Sequence, residues 1–342
     1  MAVWLLPPGH PALAQGAVPV QRRGVGGGEE TLVEEKMKEC VSTQNYKISV
    51  EYNRVKAVSM KYIPFEPKGW QKDFRDELRK MLRSELKPVD ASCLMASYSG
   101  AGVGISDVEN LLFYNIGTAS FSHLKANELR METDISAPMP SSEFQHRYCY
   151  RVVEQTALTE PEWKYDLAAY WDDVKTNGFR GEKKPLDFWL PLVNHPEKVH
   201  IIHPVLQGYR FGVEIFLTVP PDEKLNLASI IKPLLDGVIC AFHGADATLQ
   251  KEAGNIAERL KIPKELLCQT HCVLGESCYV NLYRNGVKWA PQDDRCTAAR
   301  LVIRHGSTSE YRFSGKIYML DENSICRRIK RTEKADPGET EL

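Results

Sequence analysis

The chain has 342 residues, 43% hydrophobic and 26% charged, enough to bury a sizeable core in one large or two ordinary domains. Its formal net charge of -1 excludes a global positive field that would draw it to nucleic acid, leaving that role to a local basic surface or a basic partner. No run reaches the ~18 apolar residues a membrane-spanning helix needs, and nine cysteines without framework spacing read as reduced thiols of a cytoplasmic protein.

Residues 1–36 are rich in Pro, Gly and Ala and have no basic segment ahead of an apolar one; a disordered extension is expected, with Met37 a second plausible start. Period-two alternation predicts strands over Tyr46–Tyr52 and Val55–Ile63. Trp70–Lys87 reads as an amphipathic helix, with Trp70, Phe74, Leu78, Met81, Leu82 and Leu86 on one face, and Pro88 ends it. A strand over Ala91–Tyr98, a glycine-rich loop over Ser99–Gly104, a short helix or turn over Asp107–Tyr114 and a strand over His146–Gln155 complete the first half.

Glu160–Pro191, rich in Trp, Asp and Lys, reads as a long surface excursion. Val199–His203 and Tyr209–Val219 are expected to pair as a hairpin turning at Gln207-Gly208. Leu227–His243 gives the strongest helical signal, followed by helices over Lys251–Leu260 and Lys264–Cys272. A hairpin near Asn285-Gly286 and strands over Arg300–Arg304 and Tyr311–Leu320 close the chain. The expected fold class is α+β, with mixed, largely antiparallel sheets and packed helices. The expected organisation is an N-terminal unit at 37–155, an excursion or linker at 156–198, a second unit at 199–322, and a disordered tail at 323–342.

The chemistry-bearing residues lie in an ordered series: the strand Val213–Val219, a charged spacer, the helix with Lys232 and Asp236, and the pair Asp293-Asp294 ahead of another strand. Lys232 and Asp236, four apart, share a helix face. This series resembles the core of RusA-type Holliday-junction resolvases, in which a strand leads into Asp-x-Asp-Asn, then Lys, then Asp, with a later Asp-Asp pair before the last strand. The resemblance covers about residues 213–304, with an insertion of roughly forty residues, far beyond a usual loop. It implies a magnesium-dependent endonuclease on branched DNA, with DNA preferred over RNA, acting as a homodimer or as a subunit of a larger complex. Lys232, Asp236, Asp293 and Asp294 would be the catalytic residues. Hard Mg²⁺ takes several oxygen ligands, and the lysine would stabilise charge developing on a phosphate.

The first acids of that motif are missing. Counting back from Lys232 puts Asn226, Ala228 and Ser229 at the positions of the family's Asp, Asp and Asn. The spacing recurs elsewhere, in Asp107-Val-Glu109-Asn110, where Phe113 stands in place of the lysine. Asp107 and Glu109 are therefore further metal-ligand candidates, and the chain reads as two divergent resolvase-like halves forming a pseudo-dimer. The alternative for Asp107 is a helix N-cap. Lys175, Arg180, Lys183 and Lys184 are candidate phosphate contacts, with solvation of a charged loop as the plain alternative. Cys268, His271, Cys272 and Cys278 are soft ligands whose spacing fits no common zinc module well. Three functions stand at this level: a metal-dependent nuclease, a catalytically degenerate nucleic-acid-binding or scaffolding subunit, and an α+β protein unrelated to resolvases.

Overall fold

The computed structural model describes residues 38–100, 107–134, 143–158, 165–177, 179 and 184–320. The expected extension at 1–36 and tail at 323–342, residues 101–104 of the glycine-rich loop, Arg180 and Lys183 lie outside them. Lys38–Ser42 (β1), Tyr46–Glu51 (β2) and Arg54–Ser59 (β3) form an antiparallel meander. Its inward residues Tyr46, Ile48, Val55 and Ala57 are buried, as the alternation requires. Helix α1 (Trp70–Glu85) lays Phe74, Leu78 and Leu82 on this sheet and stops before Pro88, where Leu86 is already extended.

Ser92–Gly100 (β4) is followed by a π-helical turn at Asn110–Tyr114, a 3₁₀ turn at Thr118–Phe121, and then Glu128–Asp134 (β5) and His146–Glu154 (β6). The sequence reading missed β5. Its inward side chains are Leu129, Met131 and Thr133, and its outward ones are Glu128, Arg130 and Glu132, a charged alternation with no aromatic residue and only Thr133 β-branched.

The stretch read as an excursion is built into the sheet. Tyr165–Thr176 (β7) pairs with the last strand of the chain, and Leu186–Asn194 (α2) buries Phe188, Trp189, Leu192 and Val193. Val199–Ile201 (β8) and Arg210–Val219 (β9) do not form the expected hairpin: β8 pairs with β7 and β9 lies deeper in the sheet. Helix α3 (Leu227–Phe242) is buried almost throughout, and α4 (Ala247–Leu260) is capped by Asp246, whose side chain accepts from Leu249 N. Only a 3₁₀ turn forms at Lys264–Cys268 where a helix was expected. Two small ribbons follow, Gly244–Ala245 (β10) with Glu276–Ser277 (β11), and Val280–Tyr283 (β12) with Gly286–Trp289 (β13). Cys296–His305 (β14) and Tyr311–Leu320 (β15) complete the main sheet.

That sheet has eleven strands in the order β1-β2-β3-β6-β4-β5-β14-β9-β15-β7-β8. It runs unbroken through the boundaries expected at 155 and 198, and the fold is α+β. All pairs are antiparallel except β4 with β5 and β9 with β14. The two halves are wired alike. In the first, β3 pairs antiparallel with β6, β6 antiparallel with β4, and β4 parallel with β5. In the second, β7 pairs antiparallel with β15, β15 antiparallel with β9, and β9 parallel with β14. In chain order a helix precedes the second strand of each half, α1 before β4 and α2 before β9; the crossing to the third strand is two short helical turns in the first half and α3, α4 and the small ribbons in the second. The halves join edge to edge through antiparallel β5 and β14, where Arg130 stands opposite Arg300.

The inward residues Val213, Ile215, Leu217, Leu301 and Ile303 share one core with α3. The residues alternating with them face the other side of the sheet. There Arg300 donates to Glu128 at 2.8 Å and to Glu214 at 2.9 Å, Arg130 also pairs with Glu128, and Tyr318 Oη donates to Glu214 at 3.1 Å. Burial alone would raise the Glu128 pKa, but hydrogen bonds from Arg300 and Arg130 outweigh it and hold the carboxyl below its ordinary value. Beyond this network the same face carries Lys56, Arg147, Arg151, Arg304 and Lys316, with Arg304 stacked over Phe216 at 4.3 Å.

Candidate metal centre

Three chain segments meet on the helical side of the sheet. The first is the turn after β4, which carries Asp107 and Glu109; Leu111, Leu112 and Phe113, just beyond, anchor it in the core. The second is α3, which presents Lys232 and Asp236 one turn apart. The third is the 3₁₀ turn Asp293–Arg295 immediately before β14. Because β14 runs antiparallel to β4 and β5, its start lies at the sheet end where β4 finishes. Asp293 is thereby brought to Asp107 and Glu109.

Asp107, Glu109 and Asp293 each offer a carboxylate oxygen within 4.8 Å of the others, the kind of oxygen-only set a hard divalent cation takes. Lys232 Nζ lies 2.9 Å from Glu109 Oε1, 3.4 Å from Asp236 Oδ1 and 3.8 Å from Asp107 Oδ2. Asn110 Nδ2 donates to Asp107 Oδ2 at 2.5 Å. The Asp107 carboxylate thus stands beside the cluster while also accepting from the side chain of its own turn.

The electrostatics follow from crowding acids in a buried place. Glu109 is only 2% exposed, and desolvation raises its pKa against the pull of Lys232. Asp236 is pushed up to about 7, by burial first and then by the charge of Glu109, although Lys232 opposes both. Asp293 is also raised, through burial, the Glu109 charge and a hydrogen bond shared with Asp107. Burial works against the Lys232 ammonium, yet Glu109, Asp236 and Asp293 together hold its pKa above the ordinary value. Crowding thus favours a proton among these acids, and a bound cation would compete with it.

The fit to a divalent cation has its own mark. Asp293 Oδ2 is buried without a hydrogen-bond partner, an unsatisfied acceptor on one of the three acids that come together. Asp107, Glu109 and Asp293 would hold the ion, with Asp236 and Lys232 beside them.

The other sequence candidates go elsewhere. Asp294 is exposed and stands outside the ligand group. Lys175 sits on β7 and pairs with Glu310 at 2.6 Å, and the Lys184 backbone N donates to Asp187 Oδ2 at 2.9 Å near the start of α2. Cys268, His271, Cys272 and Cys278 do not assemble: His271 Nε2 is 3.3 Å from Leu192 O, Cys278 donates to Asn281 Oδ1, and among the described residues only the acidic group qualifies as a ligand set. Among the described residues, no helix is long and apolar enough to cross a membrane. Comparison with known proteins gave no match: no family model, no curated protein and no solved structure is significantly similar to this chain.

Proposed function

We propose that the chain is a divergent RusA-like nuclease that hydrolyses phosphodiester bonds in nucleic acid, with magnesium as the cation and branched DNA as the substrate. One observation carries the reading. The acids of the first half and the lysine and acids of the second, each an incomplete motif alone, meet at one place with Lys232 Nζ 2.9 Å from Glu109. A metal bound there would polarise a phosphate oxygen and lower the pKa of the attacking water. Asp107, Glu109 and Asp293 would hold the cation. Asp236, with a pKa near 7, is suited to take up the proton of the water that attacks. Lys232 lies where it can offset the negative charge that builds on the phosphate oxygens. Basic residues on the other side of the sheet are candidates for phosphate contacts away from the scissile one, which the near-neutral net charge conceals.

A second reading, a binding subunit without catalysis, draws on the closeness of Lys232 to Glu109 and Asp236, which satisfies those acids without a metal. The deciding experiment is cleavage of branched, flapped and single-stranded DNA in Mg²⁺ or Mn²⁺, with Asp293→Asn beside the wild type. Cleavage lost with chelator and in the variant supports the nuclease. Binding without cleavage by folded protein favours the subunit.

A further inference from the structure

The repeated wiring of the sheet fixes which residues of the two halves correspond. Placing Tyr98 of β4 on Leu217 of β9 also places Arg130 of β5 on Arg300 of β14, because the two parallel registers then agree. The inward and outward positions of β4 and β9 coincide in that frame. Carried along the chain, it sets Asp107 on Asn226, Glu109 on Ala228, Asn110 on Ser229 and Phe113 on Lys232. Gly117 falls on Asp236 and His123 on Asp293. The pseudo-two-fold axis runs between β5 and β14, so the acidic centre has a mirror position at the opposite sheet end.

That mirror position has lost its chemistry. Asn226 Nδ2 donates to the backbone O of Thr118 at 3.3 Å, and Ala228 is 2% exposed. Phe113, at the place of the lysine, is buried against Phe121 with ring centroids 5.2 Å apart. His123 is turned to the backbone O of Leu86 at 2.9 Å. What space remains between Phe121, Leu124, Leu227 and Ala228 is a cavity of about 10 Å³, lined mainly by apolar side chains and with room for at most one water. The fold keeps two equivalent places, and among the described residues only one of them offers ligands.

We infer that this molecule makes single incisions: its substrate class is nucleic acid with one scissile strand at a branch, such as a flap or a nicked fork, rather than a symmetric four-way junction cut at two matched positions. The inference rests on the nuclease reading proposed above. A symmetric resolvase needs two live centres to cut opposed strands in one encounter, and this chain holds its two fold units with one centre. Each event hydrolyses one phosphodiester: the water oxygen bonds to phosphorus, one P–O ester bond breaks, and the water's protons pass to the leaving alkoxide and to solvent.

The test is a four-way junction with each strand separately end-labelled, run beside a flap, using the full chain in Mg²⁺ or Mn²⁺. The expected result is junction nicked in one strand, with the flap cut as readily. Paired cuts that release two duplexes in a single encounter would overturn the inference and leave the nuclease reading standing. Cleavage of neither substrate would overturn both. A second comparison uses the two positions that the repeat equates. Asp107→Asn is expected to slow cleavage by at least the roughly 10–100-fold that losing a residue behind a ligand costs, and Asn226→Ala to leave it unchanged. Equal losses in the two variants would show that both places work and would also overturn the inference.

Discussion

Lys232 Nζ and Glu109 Oε1 stand 2.9 Å apart although 123 residues separate them, and Glu109 is buried enough that the ammonium is its principal counter-charge. A charge pair of this kind is strongly destabilising to break from one side, by about 3–5 kcal/mol. Lys232→Met should therefore cost stability on that scale in urea denaturation of the metal-free protein. Glu109→Gln combined with Lys232→Met should recover part of the loss, since the buried Glu109 charge is gone while Asp236 and Asp107 still lack the ammonium. A double variant no better than Lys232→Met alone would show that the lysine acts mainly through Asp236.

The acids also set the pH dependence of folding. Asp236 and Asp293 have folded pKa values above their ordinary one of 3.8. The folded state therefore binds protons more tightly than the unfolded state. That advantage is complete below about 4 and is lost as pH rises through the folded values, near 7 for Asp236 and beyond for Asp293. Glu128 has the opposite sign: its pKa is lowered, so its contribution is present above about 4.5 and is lost as pH falls. Urea midpoints in chelator should accordingly peak at mildly acidic pH and fall toward pH 8. Asp293→Asn should flatten the alkaline side, and Mg²⁺ should restore the wild type there by replacing the retained proton. A wild-type midpoint that rises steadily from pH 5 to 8 in chelator would contradict this account of the cluster.

How α3 is held against α2 gives a third expectation. A Cβ at Gly237 would come within 2.4 Å of the backbone O of Pro185 and 2.9 Å of Phe188 Cβ. Gly237→Ala must push the helices apart, at about 1–3 kcal/mol for overpacking, and it must shift Lys232 and Asp236 on the same helix. Gly254 in α4 has nothing within 4 Å of an added Cβ. Gly254→Ala should instead stabilise by about 0.5–1 kcal/mol through helix propensity. Thermal midpoints and Mn²⁺ titrations of the two variants make the comparison: both quantities should fall in the first, and only the midpoint should rise in the second.

Those residues also show where a single sequence is readable. The amphipathic spacing of α1 and the apolar run of α3 were legible because burial dictates residue type at every turn. Lys232 and Asp236 could be placed on one face from their spacing alone. The pairing of Asp107 and Glu109 with Lys232 rested on matching two incomplete motifs, because nothing local to either shows that they touch; the antiparallel joining of β5 and β14 decides it. β5 itself was invisible, since its outward Glu128 is satisfied by Arg130 two residues on and by Arg300 far along the chain. The excursion misread at 160–191 hid β7 because Asp172, Asp173 and Lys175 fall among the apolar positions. There Asp173 adopts a positive φ of 50° and the register with β15 shifts. Asp294 was chosen as half of a motif, and only the geometry of a 3₁₀ turn separates a buried Asp293 from its exposed neighbour.

The open side of the sheet gives the last expectation. Arg147 and Arg151 on β6 alternate with the buried Tyr148 and Tyr150, and Lys56 on β3 lies across from Cys149 between them. Two strands thus gather three cations on one surface, although the chain as a whole is near neutral. Phosphate contacts of this kind act through counterion release, so each one lost lowers affinity without regard to sequence and reduces the salt slope by roughly one. Arg147→Glu with Arg151→Glu should weaken binding of a fluorescent duplex at low salt and flatten its salt dependence, while Mn²⁺ affinity at the acidic centre stays as it was. Asp293→Asn should do the reverse, sparing duplex affinity in the absence of metal and losing Mn²⁺. If the paired reversal left the duplex affinity and its salt slope unchanged, the phosphates would have to lie on the helical side, against α3 and the turn that carries Asp107.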